Sequence, residues 1–447
     1  MTPIRRLSTL FSRLRTDGTT LFLAGSLLLN LLRIVSTVAL TRLLGPADFG
    51  AMGVIASIQF ILAMVSDVGF FAYVVRRDID DRRLLDEVWT LRLIRGLVLS
   101  VLIGGLSWTL AGAIGKPQLC WLIAVGGVQL AIEGLSSMAF ATGAKQGLIG
   151  RLTLLDLLPA VTQIALSILI ALALRNYWAI MIAVLLSSLL KVALSYRLFP
   201  DSGRRFAPSL ARARSVWAFG RYIAGSSITQ IIVSQTDKIV FARLFSLPQF
   251  GLYSLATNLA ALPQNIMANY SPRILYPAFA RAHGGPVDAL AACYYRTGQA
   301  MRMAYMLGAG ALVAIAPLIV HLLYGPRYVG AIPYLELLAC AVIFKFPIVA
   351  ANDLILSTGN SSHAFRIGLF RAFWLALSAA ALFGLAGSWG LVVAVVSVEP
   401  ASQIYCWIVL HRIGVLRAMH EIRFYAMVPA GYIVGTAVNA AGLRLLS

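Results

Sequence analysis

The 447-residue chain is 60% hydrophobic and only 12% charged, with a mean hydropathy of +0.83. Soluble domains carry about a quarter of their residues as charges, so this composition excludes a water-soluble globule and indicates a polytopic membrane protein. A formal net charge of +20 would suit nucleic acid in a soluble protein, but the basic residues sit in alternate short loops, which signals membrane topology and anionic headgroups instead.

The chain opens with MTPIRRLSTLFSRLR, which places Ile4, Leu7, Leu10, Phe11 and Leu14 on one helical face against Arg5, Arg6, Arg13 and Arg15. Residues 1–18 therefore read as a cytoplasmic interfacial segment. The apolar run from Leu21 to Leu44 is too long for a signal peptide and lacks an A-x-A exit, so it reads as an uncleaved span.

Crossing a hydrocarbon core takes about 20 apolar residues per helix. Runs of that kind are predicted near 19–44, 48–75, 88–113, 118–140, 152–174 and 177–199, making an N-terminal six-helix lobe over 19–199. A cytoplasmic linker follows at 200–214. The C-terminal six-helix lobe, 215–411, has runs near 215–245, 249–272, 297–324, 331–357, 365–386 and 388–410. One further run, 424–443, is predicted as an extra transmembrane helix.

With the N-terminus in the cytoplasm, the inside segments collect Arg76, Arg77, Arg82 and Arg83, then Arg197, Arg204, Arg205, Arg212 and Arg214, then Arg366 and Arg371, then Arg412, Arg417 and Arg423. The opposite ends hold isolated cations such as Arg42, Lys116, Arg175 and Arg243. The positive-inside rule orients the chain accordingly. The outer loops are too short for an extracytoplasmic catalytic domain, so no enzyme is expected. Cys120, Cys293, Cys340 and Cys406 show no C-x-x-C spacing and the five histidines are scattered, so neither a metal, a cofactor nor a disulfide frame is implied.

TRLLGPADFGAMG at 41–53 returns as ARLFSLPQFGLYS at 242–254, aligning Arg42 with Arg243, Leu43 with Leu244, Phe49 with Phe250 and Gly50 with Gly251. Both copies fall at the outer turn between the first and second helix of a six-helix set. An even number of helices per unit preserves orientation, so the halves read as parallel repeats about an axis along the membrane normal.

Charges inside apolar runs are costly, at least about 2.5–3.5 kcal/mol each by insertion scales. Arg92, Arg95, Arg221 and Arg302 lie close to cytoplasmic helix ends and are expected to snorkel. Arg33 sits about midway through the first run, Lys345 midway through the tenth and Lys238 well inside the seventh; these three are expected to line a polar cavity. Neighbours on a helix point about 100° apart, so Asp237 and Lys238 do not pair well with each other. Asp67, Asp237 and Asp353 are candidates for ion coupling or for pairing with a cation elsewhere, and Glu399 is a further acid in or near a span. In-span amides such as Gln59, Gln129 and Gln235, and aromatics such as Tyr253, Tyr305 and Trp374, would suit sugars where they face a cavity; hydrogen bonding between helices and packing are their ordinary roles.

TRLLGPADFGAMG, the following SDVGFFAYVVR and the later SQTDKIVFARLFSLPQFGLYSLA resemble the polysaccharide transporter (Wzx-type oligosaccharide flippase) branch of the MOP exporter superfamily. The resemblance covers most of the chain and is strongest over 40–80 and 217–280. It implies an all-α polytopic membrane fold, two pseudo-symmetric six-helix bundles around a central cavity. Family members are usually read with twelve or fourteen spans, so either the thirteenth run is an appended C-terminal helix or two of the runs form one broken helix.

The resemblance further implies a flippase in the bacterial inner membrane. Such proteins move undecaprenyl-diphosphate-linked oligosaccharide from the cytoplasmic to the outer leaflet by alternating access, for surface or exopolysaccharide assembly. Its partners would be the lipid-linked oligosaccharide, the bilayer and a polysaccharide polymerase with export machinery, and no nucleic acid. The family's basic cavity maps onto Arg33, Lys238 and Lys345.

Elementary chemistry is consistent with that expectation. Cations can offset a diphosphate in a low-dielectric site, provided they hold it weakly enough for release. A cation-coupled drug or metabolite antiporter of the multidrug-extrusion type would need acidic dominance in the cavity. A membrane sugar polymerase or ligase would need a sizeable outer loop bearing catalytic residues.

Overall fold

The computed structural model describes residues 18–67, 69–75, 81–200, 205–360 and 362–446. The expected interfacial segment 1–18 lies outside them except for Gly18, as do Arg76, Arg77, Arg204 and the side chain of Arg221. The described residues form helices and turns with no strand among them. They divide into two compact units, Met1–Ile231 and Ile232–Ser447.

The first unit begins with α1 (Gly18–Leu43) and α2 (Pro46–Val65), followed after a break by the short α3 (Phe70–Val75). Then come α4 (Arg82–Ala113), α5 (Cys120–Gly134), α6 (Ala139–Lys145), α7 (Ile149–Leu174) and α8 (Trp178–Leu198). The long α9 (Leu210–Leu244) starts here and passes into the second unit, so the division falls inside a helix and not at 200–214. Side-chain chemistry explains why the start of α9 stays with the first unit. Arg212 pairs with the buried Glu87 at 2.6 Å, the Tyr73 and Ser215 hydroxyls share a 2.9 Å bond, and Val216 packs into a cluster with Phe70, Leu85, Val88 and Met138. Upstream, the Arg205 and Ala207 N–H groups donate to Asp86 and Thr90 on α4.

Helices α4 and α5 approach backbone to backbone. A Cβ on Gly96 would lie 2.6 Å from the Leu130 carbonyl oxygen, so only glycine permits the crossing. The α1–α2 turn is held by its own sequence: Pro46 sits in the first helical turn, and Asp48 accepts the Gly45 N–H at 2.9 Å and the Tyr177 N–H at 2.9 Å.

In the second unit α9 turns into α10 (Leu247–Ala260) by the same device. Gln249 occupies the aligned position of Asp48 and accepts the Ser246 N–H at 3.0 Å, while Ser246 Oγ accepts the Gln249 N–H. The repeated sequence thus encodes a repeated helix cap. Beyond α10 the chain runs through α11 (Leu262–Tyr270), a π turn (Ser271–Leu275), α12 (Tyr276–Ala282) and the amphipathic α13 (Val287–Arg296). The remaining helices are α14 (Gln299–Leu323), α15 (Ile332–Ser357), α16 (Ser362–Arg412), α17 (Ala418–Tyr425) and α18 (Met427–Leu446).

At 1.5 Å per residue, a straight α16 would measure about 76 Å, more than twice a hydrocarbon core. It folds back on itself. Gly387 leaves helical geometry (φ 55°, ψ −133°), and Gly390 packs so closely on the Leu382 carbonyl that a side chain there would collide. Trp374 Nε1 then donates across to Ser397 Oγ at 3.1 Å, so the expected runs 365–386 and 388–410 form the two arms of a helical hairpin. By length and composition eight described stretches can cross a membrane, or nine if the bent pair Pro117–Gly134 and Ala139–Lys145 is one span; the whole of α16 counts once. The protein is a multi-pass helical membrane protein.

The expected extra helix, α18, is a wall of the second unit. Gly310 of α14 receives the Val428 backbone, Gly431 receives the Leu307 carbonyl, and Gly435 packs on Ala311. Asn439 Oδ1 accepts the Leu318 N–H at 3.2 Å beside Pro317, where the helical ladder is interrupted.

The neighbouring Arg302 does not snorkel, and that expectation is corrected. It is 2% exposed, its guanidinium lies 4.6 Å from the ring centroids of both Tyr294 and Phe424, and Glu421 Oε1 is 3.9 Å away. An aromatic cage closed by one carboxylate gives the cation a substitute for water, which distance along the helix does not reveal. Replacing Arg302→Met alone should destabilise the protein by about 3–5 kcal/mol by stranding Glu421. The pair Arg302→Met with Glu421→Gln should recover most of the loss, as measured by thermal unfolding in detergent.

Candidate functional site

A carboxylate deep in a membrane helix persists only when cations or hydrogen bonds replace its water. Glu399, on the second arm of α16, meets both needs. Arg371, on the first arm, clamps it with two bonds, Nη1 to Oε2 at 3.0 Å and Nη2 to Oε1 at 2.7 Å. Lys345 from α15 ion-pairs with the same Oε1. Two cations on one carboxylate leave a net charge of +1, and the exposures show where it points. Glu399 is 6% exposed, against 28% for Lys345 and 18% for Arg371, so the carboxylate lies behind its cations.

The polar chemistry continues along the same face. Gln403, one turn beyond Glu399, is fully buried with neither amide atom hydrogen-bonded, and Arg371 Nε is likewise unpartnered. Further along, Asn352 Oδ1 meets His363 Nε2 at 2.9 Å. Pro400 follows Glu399 directly and cannot donate to the helical ladder, which loosens the backbone at the cluster.

Lys345, expected to line a polar cavity, is 28% exposed and pairs with Glu399, a carboxylate it shares with Arg371. Lys238 is half-buried on α9 and has no ion-pair partner among the described residues. Its neighbour Asp237 is turned away into an aromatic wall, where Oδ2 accepts the Tyr253 hydroxyl at 2.7 Å and Tyr253 packs against Phe241 and Tyr334. Arg33 is exposed on α1 in the first unit. Asp353 accepts the Ser271 hydroxyl at 2.5 Å, where the helix relaxes into its π turn. Asp67 is exposed and accepts the Gly69 N–H at 2.9 Å, closing the break between α2 and α3. Among the described residues no group of three or more His, Cys, Asp and Glu could hold a metal ion.

Arg371 and Gln403 were missed from sequence, and Glu399 was noticed only as an acid within a span. Arg371 was counted with the loop cations although it lies well inside α16. An acid within an apolar run, one helical turn before a glutamine, was the available signal. What was lacking was the hairpin that brings Arg371 to it.

A family model described as polysaccharide biosynthesis protein matches residues 39–333. The succinoglycan biosynthesis transport protein ExoT of Rhizobium meliloti is 23% identical over 343 residues, 76% of this chain and 69% of that one. The lipopolysaccharide biosynthesis protein WzxC of Escherichia coli is 21% identical over 385 residues, 85% of this chain and 77% of its own. Among solved structures, the lipid II flippase MurJ in an inward closed conformation superposes with a TM-score of 0.76 at 10% identity, covering 95% of this chain and 93% of that one. An inward-facing multidrug resistance MATE family transporter of the MOP superfamily gives 0.64 at 16% identity, covering 87% and 96%. At these identities the structural likeness establishes the fold.

Glu399→Ala should leave Lys345 and Arg371 facing each other without a counter-ion. The expected loss is about 3–5 kcal/mol of stability, read as a lowered unfolding temperature and reduced abundance in the membrane.

Proposed function

The chain belongs to the polysaccharide biosynthesis protein family, and from that premise we propose that it flips undecaprenyl-diphosphate-linked oligosaccharide across the bacterial inner membrane. Transport runs from the cytoplasmic to the outer leaflet by alternating access, with the N-terminus in the cytoplasm and the basic loops on that side. The observation that carries this reading is the positive face that Lys345 and Arg371 present over the hidden Glu399.

Glu399 acts as a resident counter-ion in this scheme. When no substrate is present it holds the two cations, so neither is left bare in a low-dielectric site. An arriving diphosphate competes for the same donors, and Lys345, the more exposed of the two, is the first to exchange. Binding by exchange is weaker than binding to naked cations, which favours release at the far side. Arg33 on the first unit and Lys238 on the second are further cations for the headgroup. Trp374, which is half-buried, offers an apolar ring face for sugars, while the polyprenyl tail stays in lipid.

The functions of the relatives support a polysaccharide-assembly role: succinoglycan biosynthesis transport for ExoT, lipopolysaccharide biosynthesis for WzxC. A polymerase and an export apparatus would receive the product. The antiporter alternative needs a carboxylate free to exchange a cation. Glu399, the acid inside the α16 hairpin, is already neutralised by two cations, which weighs against it there.

Arg33→Ala, Lys238→Ala and Lys345→Ala should each cut polymer export by roughly tenfold, the effect of losing one charge-assisted contact, while membrane abundance stays near normal. Unchanged polymer levels in all three single variants would remove the basic-route mechanism. For orientation, single cysteines on a cysteine-free background give the measurement. One at Ser202 should react with an impermeant maleimide only after the membrane is opened, and one at Asn176 should react from outside.

A further inference from the structure

The first unit contains a cleft of about 470 Å³ that the cluster on Glu399 does not use. It forms where two helices break. Helix α2 ends at Val65 and resumes as α3 at Phe70; α5 ends at Gly134 and resumes as α6 at Ala139, bent by 43°. A broken helix frees carbonyls that lipid cannot satisfy, and here two arginines of α4 take them. Arg95 donates from Nη2 to Ala63 O at 3.2 Å and from Nε to Ser66 Oγ at 3.0 Å. Arg92 donates from Nη2 to Glu133 O at 3.2 Å and, more weakly, from Nη1 to Ser137 O at 3.5 Å.

Arg92 and Arg95 stand three residues apart on one helical face, and both line the cleft. Their hydrogen-bond acceptors are neutral oxygens at helix C-termini, which fix the guanidinium planes, while the Glu133 and Asp67 carboxylates act on them without forming an ion pair. Among the described residues no carboxylate forms an ion pair with either. A guanidinium has five N–H donors, so each keeps donors for a further anion. Asp67 is the acidic group in the lining and has committed Oδ1 to Gly69. The rest of the wall is apolar and open: Phe60, Phe71 and Phe140 are 44%, 47% and 46% exposed, with the last two rings edge to face at 6.0 Å.

Cations with spare donors beside an exposed aromatic wall match an amphiphile. We infer that this cleft binds a lipid by its phosphate or diphosphate, with the headgroup against Arg92 and Arg95 and the hydrocarbon chain over Phe60, Phe71 and Phe140. Neither an inorganic anion nor an uncharged lipid uses both halves of the lining. The site is separate from the Lys345–Arg371 cluster and rests on the transport reading only for which lipid occupies it in the cell. Bulk phosphatidylglycerol and a polyprenyl diphosphate share the required chemistry.

The test uses the full chain in phosphatidylcholine nanodiscs with two diazirine-tailed probes, a polyprenyl diphosphate and a phosphatidylglycerol. Crosslinks are mapped by peptide mass spectrometry. Labelling is expected on the peptides holding Phe60, Phe71 and Phe140, and excess inorganic diphosphate should compete poorly. Arg92→Gln with Arg95→Gln should reduce that labelling on the order of tenfold, as expected for lost charge-assisted bonds. Asp67→Asn, which removes the opposing charge, should increase it. Lys345→Ala should leave it unchanged although export falls, so the cleft and the transport route fail independently.

Equal labelling by both probes assigns the site to bulk anionic lipid, and preference for the polyprenyl probe assigns it to the transported lipid; either supports the site. Should the double arginine variant not fold, Asp67→Asn and Phe140→Asn carry the test. No labelling of these peptides, or labelling indifferent to Asp67 and Phe140, overturns the inference.

Discussion

Burial of the Glu399 carboxylate beneath Lys345 and Arg371 joins α15 to both arms of α16, and the carboxylate is tolerable at that depth only with cations against it. In lipid the cost of a bare ion is set by hydration that cannot follow it, so each charge recruits a partner and each partner fixes a helix. The same accounting explains Arg302 in its cage of Tyr294 and Phe424, and Arg212 on Glu87. The helices contribute apolar surface that lipid would cover equally well, so close packing and these polar points determine which face meets which.

Irregular backbone collects where the polar groups are. The α2–α3 break brings Asp67 beside Arg95, the π turn at Ser271 receives Asp353, and Pro400 follows Glu399. A helix that breaks in lipid must be repaired by side chains. Those repairing side chains are also the ones able to hold a ligand, which is why fold and candidate site cannot be separated here.

Much of this was legible in the sequence, for reasons that differ by element. A span is a sum over about 20 residues, so an error at one position hardly moves it, and runs such as 152–174 and 177–199 reappear as α7 and α8. The cap built on Asp48 and Gln249 was readable because the chain spells it twice. The breaks after Val65 and Gly134 were not, because one aspartate or a pair of serines barely moves a sum over about 20 residues. Pairings were the least legible. Arg302 lies near a helix end, where snorkelling is the ordinary outcome, and its partner Glu421 sits in a distant segment. Arg371 was grouped with loop cations because nothing local announces that Gly387 folds its helix back onto Glu399.

The glycine-lined seam between α14 and α18 has a mechanical consequence. With Gly310 and Gly431 each seated on the other helix's backbone, neither rod can roll or slip without driving main chain into main chain. The two behave as a laminated beam, stiffer than either alone. Any rocking of the second unit must then take up its strain at the softer joints, such as the π turn at Ser271 or the bend at Gly387, and leave this beam undeformed.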